Sequence, residues 1–284
     1  SAFLSIMIVI TYFNPNKVII NVRVAQLISG SWAAWCFGYA WMFLFKERPP
    51  LRQVDRNSNI LLSGFRQNFR TIKKIFSNYN GLRWFLISLL FVPEQGSGSL
   101  LSILVTYMTV ELKMNITEIG IATLVLLVMS IPGSMLSKFC CQRMNALRSY
   151  QFAMAALGAT FGLGAGILTG PEKKHFMYLC SAFSGIGFGW IYPSERVILC
   201  TISPPGQEAE IMGVFTFFAH LLGWAPTLLF SAINEAGYTM RLGLLSTSFF
   251  FVISIICTCF TGSYKKAVEQ VQTNLEDIEL EERT

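Results

Sequence analysis

An all-α bundle of membrane-spanning helices is the fold class this sequence predicts, and three observations predict it. Of 284 residues, 53% are hydrophobic and only 13% charged, about half the charged share of a soluble globule. The apolar residues fall in runs long enough to cross a bilayer, which takes ~20 residues. The basic residues collect in the segments flanking those runs, as the positive-inside rule expects. The net charge of +6 comes from these flanks, so the pattern argues against a nucleic-acid partner and for a lipid bilayer. Seven cysteines (Cys36, Cys140, Cys141, Cys180, Cys200, Cys257 and Cys259) sit in or beside apolar runs, without metal-ligand spacing to His175 or His220. They read as small buried residues, and no metal or cofactor is expected.

The chain opens at Ser1 inside an apolar run that lacks the basic flank and cleavage site of a signal peptide, so it reads as the tail of a helix in a fragment of a longer protein. Asn14-Pro15-Asn16 makes a turn, and Ala25 to Phe45 forms the first complete span, free of formal charge. From Lys46 to Arg83 the linker carries nine basic residues against Glu47 and Asp55, which assigns it to the cytosol. Within it Phe65, Phe69, Ile72 and Phe76 recur at helical spacing, with Arg66, Arg70, Lys73 and Lys74 on other faces. That pattern fits an amphipathic helix lying on the membrane surface or packed on the bundle.

The second span, Leu82 to Val110, contains Pro93-Glu94-Gln95-Gly96-Ser97-Gly98 near its middle. Glu94 lies ~17 Å deep at 1.5 Å per residue, in a helix loosened by proline and glycine. Thr117 to Ser137 spans back with a break at Pro132-Gly133, and Asn115 with Glu118 forms a capping box rather than a glycosylation site. Lys138, Arg143 and Arg148 mark a second cytosolic turn. Phe152 to Leu168 carries Gly158, Gly162 and Gly166 four apart, a ridge that permits close helix approach. GLGAG in that run and GIGFG at Gly185 do not open a helix after a strand, which argues against a dinucleotide site.

The fifth span, Phe176 to Ile202, holds the adjacent charges Glu195 and Arg196, read as an ion pair beside a hydrated path. Pro204-Pro205-Gly206 ends the helix, and Glu208 and Glu210 open the next one, where they serve either the helix dipole or a gate. That next span runs to Ile233, with His220 near its middle as a proton acceptor or a hydrogen-bonded core histidine. Leu242 to Thr261 is the last span, followed by Lys265, Lys266 and an acidic tail. Seven full spans then alternate sides. Buried formal charge falls on the second and fifth alone, the spacing expected of a repeat-built transporter.

Two stretches make the chain resemble the vacuole effluxer branch of the major facilitator superfamily, the autophagy-linked amino-acid exporters. They are Leu82-Arg83-Trp84-Phe85-Leu86 leading to Glu94, and Arg196 followed by Pro204-Pro205-Gly206-Gln207-Glu208-Ala209-Glu210, Gly213 and Pro226. Glu94 stands where the family usually has aspartate, which keeps the charge, and His220 where it usually has lysine. The resemblance implies the C-terminal half of a twelve-helix carrier: residues 1–45 as the end of helix five and helix six, 46–81 as the central cytosolic loop, 82–262 as six transporter helices, and 263–284 as a tail. It implies a non-enzymatic secondary transporter in a vacuolar or lysosomal membrane, moving amino acids to the cytosol with the absent N-terminal half as its other wall.

Glu94, Gln95, Arg196 and His220 are the candidates for solute binding or proton coupling. Glu195, Arg196, Glu208 and Glu210 are the candidates for a gate on the cytosolic side. A non-transporting sensor or scaffold on the same fold is the competing reading. A G-protein-coupled receptor is disfavoured by the missing Asp-Arg-Tyr and Asn-Pro-x-x-Tyr signatures, and a membrane enzyme by the absence of a nucleophile, histidine and carboxylate set.

Overall fold

A computed structural model of the chain describes residues 18–44, 60–93, 98–203, 208–262, 264–265 and 267–269. The turn at Asn14-Pro15-Asn16, the start of the basic linker, the Pro204-Pro205-Gly206 stop and the acidic tail lie outside them. Every regular element among the described residues is helical, as the composition predicts. Three helical stretches are both long and apolar enough to cross a membrane: Ile116–Met144, Glu210–Glu235 and Met240–Cys259.

The helices are α1 (Val18–Tyr39), continued by a π-helical turn over Ala40–Leu44, α2 (Ile60–Asn78), α3 (Asn80–Leu90), α4 (Ser99–Val110), α5 (Ile116–Met144), α6 (Ala146–Ile167), α7 (His175–Ile202), α8 (Glu208–Leu221), α9 (Ala225–Glu235) and α10 (Met240–Cys259). A single 3₁₀ turn, Pro171–Lys173, leads into α7. α1 carries a ladder of rings at helical spacing: Trp32 and Trp35 at 5.7 Å, Trp35 and Tyr39 at 6.1 Å, Tyr39 and Phe43 at 5.0 Å.

The amphipathic pattern in the linker does form a helix, α2, and it packs on α3 and α8. Thr71 and Ile75 are buried there and Ile72 and Phe76 half-buried, while Arg66, Arg70, Lys73 and Lys74 face outward. Phe76 meets Phe218 at 5.9 Å between ring centroids. Ile72 and Phe76 of the expected stripe thus cover part of the bundle, whereas Phe69 points outward, 72% exposed.

α5 begins at the capping box read from the sequence: the Asn115 amide donates to Glu118 Oε2 at 2.9 Å. The break expected at Pro132-Gly133 does not occur, and α5 runs unbroken through 29 residues. Proline removes one intrahelical bond, but it is tolerated in spanning helices because neighbouring helices and hydroxyl groups satisfy the freed carbonyls. α7 passes through Pro193 in the same way.

α5 and α7 form the most intimate pair in the bundle. A Cβ at Gly185 would fall on the carbonyl of Leu126, one at Gly189 on the carbonyl of Ser130, and one at Gly133 on the backbone of Ile186. The two backbones therefore touch, which only hydrogen-sized side chains allow. Gly187, on another face, is capped by the Leu157 side chain of α6. So the GIGFG stretch is a helix crossing. On α6, Gly158 and Gly162 face Phe251 and Ser248 of α10, whereas Gly166 meets nothing within 4 Å.

The apolar core lies between α3, α6 and α10, around Phe85, Leu86, Leu89, Tyr150, Met154 and Phe251. Large apolar side chains also point outward, including Ile131, Met135, Phe183, Phe249 and Ile256, as lipid-facing surfaces require. Cys36, Cys200 and Cys259 are exposed, which corrects the expectation of seven buried cysteines. A thiol is apolar enough to face hydrocarbon.

One end of the bundle is stapled by polar contacts. Tyr107 donates to the Leu168 carbonyl at 2.6 Å, Lys174 Nζ pairs with Glu118 Oε1 at 2.6 Å, and Arg241 meets Glu111 at 3.6 Å and the Thr169 carbonyl. Lys174 is thus held by a local carboxylate.

Candidate functional site

Two helix breaks and one pair of adjoining helices set what this chain can bind. The first break separates α3 from α4. Its described edges are Phe91 to Pro93 and Gly98, and Gly98 adopts a left-handed φ of 62°. The Ser99 hydroxyl donates to the Pro93 carbonyl across the break, and Ser102 Oγ donates to the Gly98 carbonyl at 3.1 Å. Glu94 and Gln95 fall between these edges, outside the described residues.

The second break, over residues 222–224, divides α8 from α9 within the stretch Glu210–Glu235, which is long and apolar enough to cross a membrane, as the sequence expects. Gly223 and Pro226 flank Trp224 there, and proline is favoured in the first turn of a restarting helix. α4 and α9 pack side by side and leave an open cleft of about 710 Å³ lined in part by Ser99, Ser102, Trp224, Thr227, Ser231 and Glu235. Hydroxyls and one carboxylate on otherwise apolar walls suit a small polar solute. Sequence reasoning missed this set, although Ser99 with Ser102, and Thr227 with Ser231 and Glu235, form polar stripes at helical spacing within apolar runs.

Arg196 is exposed on α7 and rests on α8. Its Nη1 lies 3.1 Å from Met212 Sδ, and its guanidinium carbon sits 4.8 Å above the Phe215 ring, a cation–π arrangement. Met212, Thr216 and His220 follow one another every four residues along a single exposed face of α8. His220 Nδ1 lies 2.8 Å from the Thr216 carbonyl. A carbonyl accepts, so Nδ1 carries the hydrogen and Nε2 is left to the open side. Met212 and His220 are ~12 Å apart along the helix, so Arg196 and His220 mark the two ends of one strip.

Glu195 does not pair with Arg196. Its side chain is 1% exposed and both carboxyl oxygens lack a hydrogen-bond partner among the described residues. The sequence expectation of an ion pair fails because consecutive helical side chains diverge by ~100° and do not face each other. Glu210 turns toward α2, where Thr71 Oγ1 donates to its Oε2 at 2.8 Å. Glu208 opens α8 with its side chain outside the described residues. Of the four gate candidates, then, the described contacts of Arg196 are a thioether and a ring.

Beside Glu195 lies a buried hydroxyl cluster that sequence reasoning also missed. Ser194 Oγ is 2.8 Å from Ser137 Oγ on α5 and 3.1 Å from Ser149 Oγ on α6, and Trp190 Nε1 donates to Ser149 at 2.8 Å. Three serines in charge-free stretches carry no signal until the crossing brings them together.

A profile of the family described as "Vacuole effluxer Atg22 like" matches residues 1–271 of the 284. The chain belongs to the vacuole effluxer family. Membership carries a vacuolar transporter role for an integral membrane protein, with a small-molecule solute and the lipid bilayer as its partners. No curated protein matches the chain. The exposed Arg196–His220 strip and the hydroxyl cleft are two polar surfaces on this vacuole effluxer's described residues.

Proposed function

We propose that this chain is the C-terminal half of a twelve-helix major facilitator carrier that exports amino acids from the vacuole to the cytosol in autophagic nutrient recycling. On this reading residues 82–262 form the six-helix half, 46–81 the cytosolic central loop, and 1–45 the end of helix five with helix six. The N-terminal half supplies the wall opposite α7 and α8, without which alternating access has no second face.

The observation that carries the reading is the position of Arg196. A guanidinium is held exposed over Phe215, on the same strip as a histidine whose Nε2 points to the open side. Guanidinium binds a carboxylate bidentately, and a carboxylate binds an ammonium group. Arg196 therefore takes the α-carboxylate of a zwitterion. Glu94 takes its ammonium, and Gln95 contributes an amide to the same solute. His220, whose Nε2 is left to the open side, is the group on this strip that can take up a proton. Glu208 and Glu210 are the acidic groups within sequence reach of Arg196 when the inner mouth closes as a gate.

The test is flux. Vesicles containing the complete two-half carrier should release one or more members of an amino-acid panel, and Arg196→Ala should abolish that release at unchanged protein abundance. Normal release by an abundant Arg196→Ala variant would remove both the solute and the gate role. Amino-acid binding without flux in the parent would identify a sensor and refute the carrier.

A further inference from the structure

The hydroxyl cluster at the α5–α6–α7 junction satisfies its own members and leaves one acid out. Ser194, Ser137 and Ser149 bond among themselves and to Trp190. Ser254 donates to the Ser88 carbonyl at 2.9 Å, and Ser88 donates to the Phe85 carbonyl at 2.6 Å. Glu195, next in sequence to Ser194 and 1% exposed, receives no donor at either oxygen among the described residues. Tyr150 of α6, fully enclosed, is its electrostatic neighbour, with the Ser88 hydroxyl close to the Tyr150 hydroxyl. A carboxyl with neither oxygen satisfied in a packed interior calls for an explanation, because buried polar atoms are nearly always bonded.

We propose that Glu195 is a proton-binding site: a carboxyl occluded against α6 in this conformation, which loads and releases one proton as the protein changes conformation. The proposal deepens the carrier reading and rests on it for its transport consequence. An ionised carboxylate without a donor or a cation is strongly disfavoured in a dry interior, whereas a neutral carboxyl is tolerated. Glu195 therefore holds its proton while α6 and α7 are closed around it. When water enters between them, the carboxyl gives that proton to water, and the resulting carboxylate gains the Tyr150 hydroxyl as a donor. Closing again requires the proton to return, so the occluded state forms with the site loaded.

The groups that face this acid are few. From α6 it meets Tyr150. From α5, Cys141 Sγ lies 3.6 Å from the adjoining Ser194 hydroxyl. Arg196, on its own helix, is turned to the other side onto Met212 and Phe215 of α8, and Glu210 of α8 is bonded to Thr71. Lys138, Arg143 and Arg148 are exposed. The 3₁₀ turn at Pro171–Lys173 packs at the far end of α7, ~30 Å away along the helix. Glu208 alone among nearby acids has its side chain outside the described residues. No described cation therefore compensates a Glu195 charge in the closed arrangement except through the diverging Arg196.

Two readouts on the complete carrier test this. The first is the infrared C=O stretch of a protonated carboxyl in the purified protein at neutral pH. It should be present in the parent, absent in Glu195→Gln, and displaced in Tyr150→Phe. The second is transport in vesicles. Glu195→Gln, which keeps the shape and neutrality of the loaded state, should retain solute exchange between loaded faces. It should lose proton-gradient-driven net flux by about tenfold or more. An unchanged carboxyl band in Glu195→Gln would overturn the proposal. So would gradient-driven net flux equal to the parent's, or a parent whose net flux ignores the proton gradient. If the parent shows no flux of any kind, the carrier reading fails, and the infrared band still decides the protonation of Glu195 by itself.

Discussion

Adding one methyl group at Gly189 should unseat the contact between α5 and α7. The ideal Cβ position there lies well inside contact distance of the Ser130 carbonyl oxygen, nearer than real Cβ atoms approach anything, and the obstacle is backbone. A side-chain obstacle can rotate away, but a helical carbonyl moves only with its helix. Restoring ordinary contact demands that the pair separate by more than about 1 Å over this stretch. Overpacking of this kind costs ~1–3 kcal/mol, and here the upper part of that range is expected, with a similar loss for Gly185→Ala against the Leu126 carbonyl.

The other glycines provide an internal scale. Gly158→Ala would meet Phe251 Cβ at 3.2 Å, a few tenths too close. Its cost should largely cancel the gain of up to ~1 kcal/mol that alanine brings to a helix. Gly166→Ala has nothing within 4 Å and should be neutral or stabilising. Thermal unfolding of the purified protein in detergent, with all four variants in one series, measures the order. If Gly189→Ala unfolds within about 0.5 kcal/mol of the parent, as surface substitutions do, the backbones are not in contact and the crossing is wrong.

Three further outcomes follow from the contacts described. Asn115→Ala should cost ~1 kcal/mol by removing the α5 cap, read as a shift in the same unfolding series. Lys174→Met should cost no more than ~1 kcal/mol, because its partner Glu118 is also partly solvated; a double-mutant cycle with Glu118→Gln isolates the pair. Ser194→Val removes the hydroxyl shared by Ser137 and Ser149 and should cost ~1–3 kcal/mol. Ser134→Val, an exposed hydroxyl bonded only to the Ile131 carbonyl among the described residues, should cost much less.

Helix positions, the Asn115 cap and the amphipathic stripe of α2 were legible in the sequence because each depends on residues within one or two turns. Breaks were less so. Pro132 and Pro193 sit inside continuous helices, while the helix yields at 222–224, because whether a proline breaks a helix depends on what neighbouring helices offer its freed carbonyl. The meaning of GIGFG was half legible: a nucleotide loop was excluded by the lack of a strand, but its partner α5 lies some fifty residues earlier. Adjacent charges at Glu195 and Arg196 looked like a pair in one dimension, and the helical screw sends them to opposite environments. The Ser99–Glu235 cleft is assembled from segments more than a hundred residues apart, so it has no local signature beyond its polar stripes.

Where α5 meets α7, no side chain stands between the two main chains, so there are no rotamers to trade and no play to take up. These two helices must tilt together as one strut. Bending is left to α3–α4 and α8–α9, whose cylinders are interrupted between Leu90 and Ser99 and between Leu221 and Ala225, so the bundle joins one rigid brace to two jointed members.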